Sequence, residues 1–203
     1  MRQNLPIDDL QDLLRSILTP GDHYPYHPTI LIGREIPIYY GERRPGSSGP
    51  PPHVIPDCLV AFDVDTAAIW ERIGYDPIQN GKPPDFVMEV APPSTRRNDS
   101  DRKRDVYEML GVPEYWRFDP TGGRLYVQSI IGEHLVNGRY EQFPLIRYAD
   151  GSEGSTSPLL NLNFRWRDQR FYVHNPTTGL EYEHTREEIV RLREENRRLR
   201  GEG

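Results

Sequence analysis

Between Pro84 and Val90 the chain reads PDFVMEV, an apolar run carrying one acid, and Pro92-Pro93 follows almost at once. Prolines cannot donate to a β ladder, so a strand formed by this run ends there. Side chains alternate along a strand, which puts Asp85, Val87 and Glu89 on one face and Phe86, Met88 and Val90 on the other. A run apolar on both faces belongs in the middle of a covered sheet. There a lone carboxylate is expensive, because its desolvation must be compensated by a cation or by donors. Glu89 therefore demands a partner, and the rest of the chain has to provide it.

A second run, Val54-Ile55-Pro56-Asp57-Cys58-Leu59-Val60-Ala61-Phe62, repeats the pattern of a Pro-Asp start and an apolar body. It too reads as a central strand. After Pro93 the composition changes to STRRNDSDRKRDVYEMLG. Asp99 or Ser100 can cap a helix here, Val106, Met109 and Leu110 give it an apolar face, and Gly111 stops it. Residues 112–120, VPEYWRFDP, form a third strand with Tyr115 and Trp116 as core aromatics. Strand, helix, strand in that order is a crossover unit whose two strands run parallel if they share a sheet.

Around this centre the signals are shorter. Residues 6–18 make an amphipathic helix stopped by Pro20-Gly21, and residues 36–40 a strand with an edge proline. Residues 41–53, GERRPGSSGPPPH, are a surface loop, and a polar connection through Asn80-Gly81-Lys82 leads from the second run to the first. Residues 124–130 read as a strand, and Asn137-Gly138 marks a two-residue hairpin turn. Residues 150–157 read as a Gly/Ser loop, and residues 159–166 with 170–173 as a further hairpin. In the tail, Ile189, Leu192, Asn196 and Leu199 alternate at spacings of 3 and 4, a short coiled-coil seam.

The 203 residues suit one domain over 1–184 with the helical tail at 185–203. Hydrophobic residues at 35% and charged residues at 28% place the chain above the disordered regime. A net charge of −6 provides no global attraction to nucleic acid, so any phosphate contact must come from a local cluster. The one cysteine, Cys58, excludes an internal disulfide and a four-cysteine zinc site, and its apolar setting marks a core residue. Neither a signal peptide nor a run of about 20 apolar residues is evident, which implies a cytoplasmic protein with no membrane association. The histidines show no metal-ligand spacing.

Three elements carry the chemistry. Asp57 begins one strand, Glu89 lies in the next, and the helix after it brings Lys103. Asp99, Lys103 and Tyr107 are spaced i, i+4, i+8 along one helical stripe that can look back at the end of the Glu89 strand. Two carboxylates from neighbouring strands are hard oxygen ligands suited to Mg²⁺. A lysine beside them can position or deprotonate a metal-bound water and neutralise charge developing on phosphorus.

The segments PDCLVAFDVD and KPPDFVMEVAPPSTRRNDSDRKRDVYEMLGVPEYWRFDP closely resemble the Uma-type restriction endonuclease family, once a domain of unknown function, within the PD-(D/E)xK nuclease superfamily. The resemblance is strongest over residues 54–120. It implies an α/β (α+β) restriction-endonuclease-like core, a mixed β-sheet flanked by helices, with added C-terminal β-hairpins and a short C-terminal helix. It implies a Mg²⁺- (or Mn²⁺-) dependent DNA endonuclease whose catalytic residues are Asp57, Glu89 and Lys103, with the metal on Asp57, Glu89 and the Val90 carbonyl. The lysine expected two residues after Glu89 is Ala91, and in this family Lys103 takes its place from the helix. Asp85 matches a further family position, Tyr107 and Glu35 are additional candidates, and Arg96, Arg97, Arg102 and Arg104 are candidates for phosphate contact. The partners implied are DNA, a second copy in a homodimer, and a protein held through residues 185–200. The alternatives are an inactive interaction protein on the same fold, or a metal-dependent hydrolase of RNA or a small phosphate ester.

Overall fold

The protein's structure, a computed structural model, describes residues 7–18, 27–43, 45–91, 97–168 and 170–182. In chain order it runs α1 (Ile7–Ile17), β1 (Ile30–Gly33), β2 (Ile38–Tyr39), β3 (His53–Val54), β4 (Cys58–Phe62), α2 (Thr66–Arg72), α3 (Pro77–Asn80) and β5 (Phe86–Val90). It continues α4 (Arg97–Leu110), β6 (Glu114–Phe118), β7 (Ile130–Val136), β8 (Arg139–Gln142), β9 (Ile146–Arg147), β10 (Glu153–Ser157), β11 (Leu162–Arg167) and β12 (Arg170–His174). The coiled tail expected at 185–200 lies outside the described residues.

A six-stranded mixed sheet in the order β1-β4-β5-β6-β7-β8 forms the centre. Among the described residues its only parallel pair is β5 with β6, joined by α4 as the strand-helix-strand pattern requires. The two Pro-Asp runs give β4 and β5, which pair antiparallel with Cys58 opposite Met88 and Val60 opposite Phe86. Every residue of β4 and all but Val90 of β5 are buried, as expected for strands covered on both faces.

The two faces hold separate cores. On one, Val60, Met88, Trp116 and Phe118 meet Leu14 of α1 and Phe164 of a second sheet, ordered β12-β11-β10-β9. On the other, Leu59, Val87 and Tyr115 meet Tyr107 of α4 and Ile69 of α2. The central sheet is thus flanked by α4 and α2 on one face, and by α1 and the late hairpins on the other.

Trp116 fastens the two sheets together. It is fully buried, packs edge-on to Phe164 at 4.9 Å, and donates from Nε1 to Glu114. Glu114 also accepts from Ser157 Oγ and the Leu159 amide, so one buried carboxylate ties β6 to the second sheet. Gly132 in β7 makes room for the indole, since a Cβ there would lie 2.6 Å from the ring.

Several sequence expectations are corrected. Residues 124–130 are not a strand before Ile130, because Asp119 accepts from the amides of Thr121, Leu125 and Tyr126 and folds the segment into turns. Residues 153–157, read as loop, are β10, a polar strand stabilised by pairing with β11. The polar connection holds α2 and α3, capped by Asp65 and Asp76. The Asn137-Gly138 turn does join β7 and β8, with φ of 50° and 79° at its two residues.

Replacing Trp116 by Ala removes the inter-sheet contact and one of the three donors to Glu114, so we expect destabilisation of about 3–5 kcal/mol. Urea unfolding measures this; a loss under about 1 kcal/mol would mean that the two sheets repack without the indole.

Candidate active site

The site forms where β4 begins and β5 ends. Carrying the Cys58–Met88 pairing one residue outward sets Asp57 opposite Glu89, on the face covered by α4. Asp57 is half-buried, and its Oδ2 accepts the Val90 amide at 2.7 Å. This bond continues the β4–β5 ladder by one rung, with a side chain in place of a carbonyl.

Asp85 does the same at the far end of the pair. Its Oδ2 accepts the Phe62 amide at 2.8 Å and pairs with Lys82 at 2.7 Å. The matching Pro-Asp starts are therefore matching ladder clamps, related by the twofold of the antiparallel pair. Asp85 lies just beyond the last paired residues, Val60 and Phe86, where its amide donates to the Val60 carbonyl, and the length of β5 separates it from Glu89. The structure does not bring Asp85 to the site.

Glu89 is 5% exposed, and both of its oxygens are engaged by α4. Lys103 Nζ donates to Oε2 at 2.8 Å, and the Tyr107 hydroxyl donates to Oε1 at 2.6 Å. Lys103 also donates to the Ile55 carbonyl at 2.8 Å, tying the helix to the segment that leads into β4. The i, i+4 spacing on α4 places these two donors one turn apart over one carboxylate. Tyr107, an additional candidate from the sequence, both fills the core and serves as a donor to Glu89.

Burial pushes the Glu89 carboxyl up to about 7, and the Asp57 charge adds to this, while the Lys103 charge and the two hydrogen bonds oppose it. Burial and the neighbouring Glu89 charge also hold the Tyr107 phenol well above its ordinary range, so it remains a donor. Cys58, next to Asp57, is fully buried and its thiol is pushed up to about 12, as befits a core residue.

The other candidates separate by position. Glu35 would come opposite Asp57 if the β1–β4 pairing ran on, but pairing ends at Gly33–Leu59. Glu35 then adopts a left-handed φ of 51° and is exposed beside Arg34. Arg102 is exposed on α4. Arg104 turns away from solvent to Glu133 of β7, bonding it through Nε at 3.0 Å and Nη2 at 2.8 Å, which removes it from the phosphate-contact set. Arg96 and the Arg97 side chain lie outside the described residues. Sequence reasoning missed the Arg104–Glu133 pair, whose members are distant along the chain and share no periodicity.

Asp57 and Glu89 fit a hard divalent cation by the chemistry of their donors. A carboxylate oxygen carries two lone pairs, so each Glu89 oxygen keeps one after its hydrogen bond. Among the described residues no group of three or more acidic, histidine or cysteine side chains is placed to hold a metal, so further ligands must come from main chain, water or substrate.

A family model described as "Uma2: Putative restriction endonuclease" matches residues 30–185. The chain belongs to this family. Its match takes in β1 through β12 and therefore the whole Asp57–Glu89–Lys103 arrangement. Among solved structures, one titled as a putative nuclease belonging to DUF820 from Anabaena variabilis is similar, with 12% identity over 74% of each chain and a TM-score of 0.46. No curated protein matches the chain. Among the described residues no helix is long and apolar enough to cross a membrane.

Because the folded-state pKa of Glu89 is raised, the group favours the folded state at low pH, and that contribution is lost as pH climbs from about 4.5 to about 7. Glu89→Gln cannot titrate, so urea midpoints of the variant should fall less steeply than wild type across that window. Parallel curves for the two proteins would contradict the burial argument.

Proposed function

We propose that this protein is a divalent-metal-dependent endonuclease that hydrolyses DNA phosphodiester bonds at Asp57, Glu89 and Lys103. The single observation carrying the reading is that Lys103 reaches the buried Glu89 carboxylate from α4 at 2.8 Å, although Ala91 occupies the position where the superfamily motif has its lysine. Membership of a restriction endonuclease family supports the same reading.

Asp57, Glu89 and the Val90 carbonyl would hold Mg²⁺ or Mn²⁺. The N–H and C=O of one strand residue face the same neighbouring strand, and the Val90 N–H already faces Asp57. When bound, such an ion polarises a phosphoryl oxygen and lowers the pKa of coordinated water.

The chain's own residues then do the following. Lys103 brings a compact positive charge to the acid pair, where it can offset charge developing on the phosphate. Its bond to the Ile55 carbonyl fixes the ammonium on the Asp57 side of Glu89. Tyr107 holds the remaining Glu89 oxygen, limiting rotation of the carboxylate. Exposed Arg102, one residue from Lys103, offers a contact for the phosphate backbone of a long substrate.

Supercoiled plasmid with Mg²⁺ or Mn²⁺ tests the proposal. Wild type should nick it, and chelation should abolish the activity. Asp57→Asn, which keeps an oxygen for the Val90 amide, Glu89→Gln and Lys103→Met should each lose about 100-fold or more. An inactive wild type, or a Glu89→Gln protein as active as wild type, would reject the assignment.

A further inference from the structure

Next to the acid pair lies a cation that the arrangement leaves out. In the parallel β5–β6 register Arg117 is the cross-strand neighbour of Glu89, and its side chain lies on the same face. Adjacent strands are about 4.8 Å apart, so by position Arg117 is the obvious ion-pair partner for Glu89. It pairs elsewhere. Arg117 Nη2 donates to Glu133 Oε2 at 2.8 Å, and the guanidinium lies near the rings of Tyr115 and Tyr126 at 5.6 and 5.7 Å.

Glu133 is a buried carboxylate on β7, with 7% of its side chain exposed, gripped by Arg117 from one side and by Arg104 of α4 from the other. Holding Arg117 there leaves its Nε buried without a hydrogen-bond partner among the described residues. An unsatisfied buried donor is a standing cost, and a carboxylate on the adjacent strand could relieve it. The charge of Glu133, with the faces of Tyr115 and Tyr126, opposes that move.

We propose that Glu133 is a positioning residue that holds Arg117 away from Glu89, reserving that carboxylate for Lys103 and for a divalent cation. The cation part rests on the function proposed above; the placement of Arg117 does not. Were Arg117 to pair with Glu89, a planar guanidinium would occupy the carboxylate lone pairs that Lys103 and Tyr107 leave open. Through Arg104, the residue after Lys103, the same Glu133 also fixes the rotation of α4 on the sheet.

Crystal structures and Mn²⁺ calorimetry of the full chain test this in wild type, Glu133→Gln, Arg117→Met and the double variant. In Glu133→Gln the Arg117 guanidinium should contact Glu89, and Mn²⁺ affinity should fall about tenfold or more. Adding Arg117→Met should restore affinity to within about threefold of wild type, while Arg117→Met alone should leave it unchanged. The idea is overturned if Arg117 stays clear of Glu89 in Glu133→Gln, or if the double variant binds as weakly as the single one. Should Glu133→Gln not fold, a double variant that folds and binds Mn²⁺ like wild type upholds the proposal, and one that does not overturns it. A wild type that binds no Mn²⁺ defeats the metal reading alone, since the position of Arg117 in Glu133→Gln still decides the rest.

Discussion

A carboxylate almost wholly removed from water dictates how α4 sits. Glu89 lies between two covered strands, and its charge is tolerable only where donors reach it. Lys103 and Tyr107 provide them from successive turns of one helix, so the bonds that satisfy Glu89 also seat α4 on the sheet. Arg104 and Glu108 hold the helix from the opposite side, through Glu133 and through Arg139 with the Tyr140 amide. Such pairs gain little net stability against the desolvation they require, so their main effect is to fix geometry.

The strand pair beneath is bounded at each end by an aspartate that stands in for a carbonyl. Asp57 and Asp85 follow the same Pro-Asp pattern and accept the same kind of amide, yet only Asp57 faces another acid. What separates the two is their setting: Asp57 lies at the end of the pair that carries Glu89, whereas Asp85 lies at the other end beside Lys82.

Much of this was legible in the sequence. Alternation in PDFVMEV put Glu89 on the face of Val87, and helical spacing put Lys103 and Tyr107 together, both through local periodicity. The parallel crossover followed from the order of the elements. What escaped detection depended on long-range partners. Glu133 and Arg117 occupy strands whose pairing cannot be read from either segment, so Arg104 looked available for phosphate. Asp119 looked like the end of a strand, whereas its carboxylate gathers three amides further along. The Ser- and Gly-rich β10 lacked apolar alternation because neighbouring strands decide its conformation. Asp65 and Asp76 did carry cap signals for α2 and α3, but helices this short leave almost no periodicity to accompany them.

The single parallel pair in the sheet has a wider consequence. To place β6 alongside β5 in the same direction the chain must leave the sheet and return across its face, whatever chemistry it performs. α4 is therefore an architectural necessity that passes over the end of β5. A side chain delivered from that helix can reach the same point in space as one delivered from β5 itself. The fold in this way offers two addresses for one ammonium group. In this chain residue 91, just past β5, is alanine, and the ammonium that meets Glu89 comes from Lys103 on the helix.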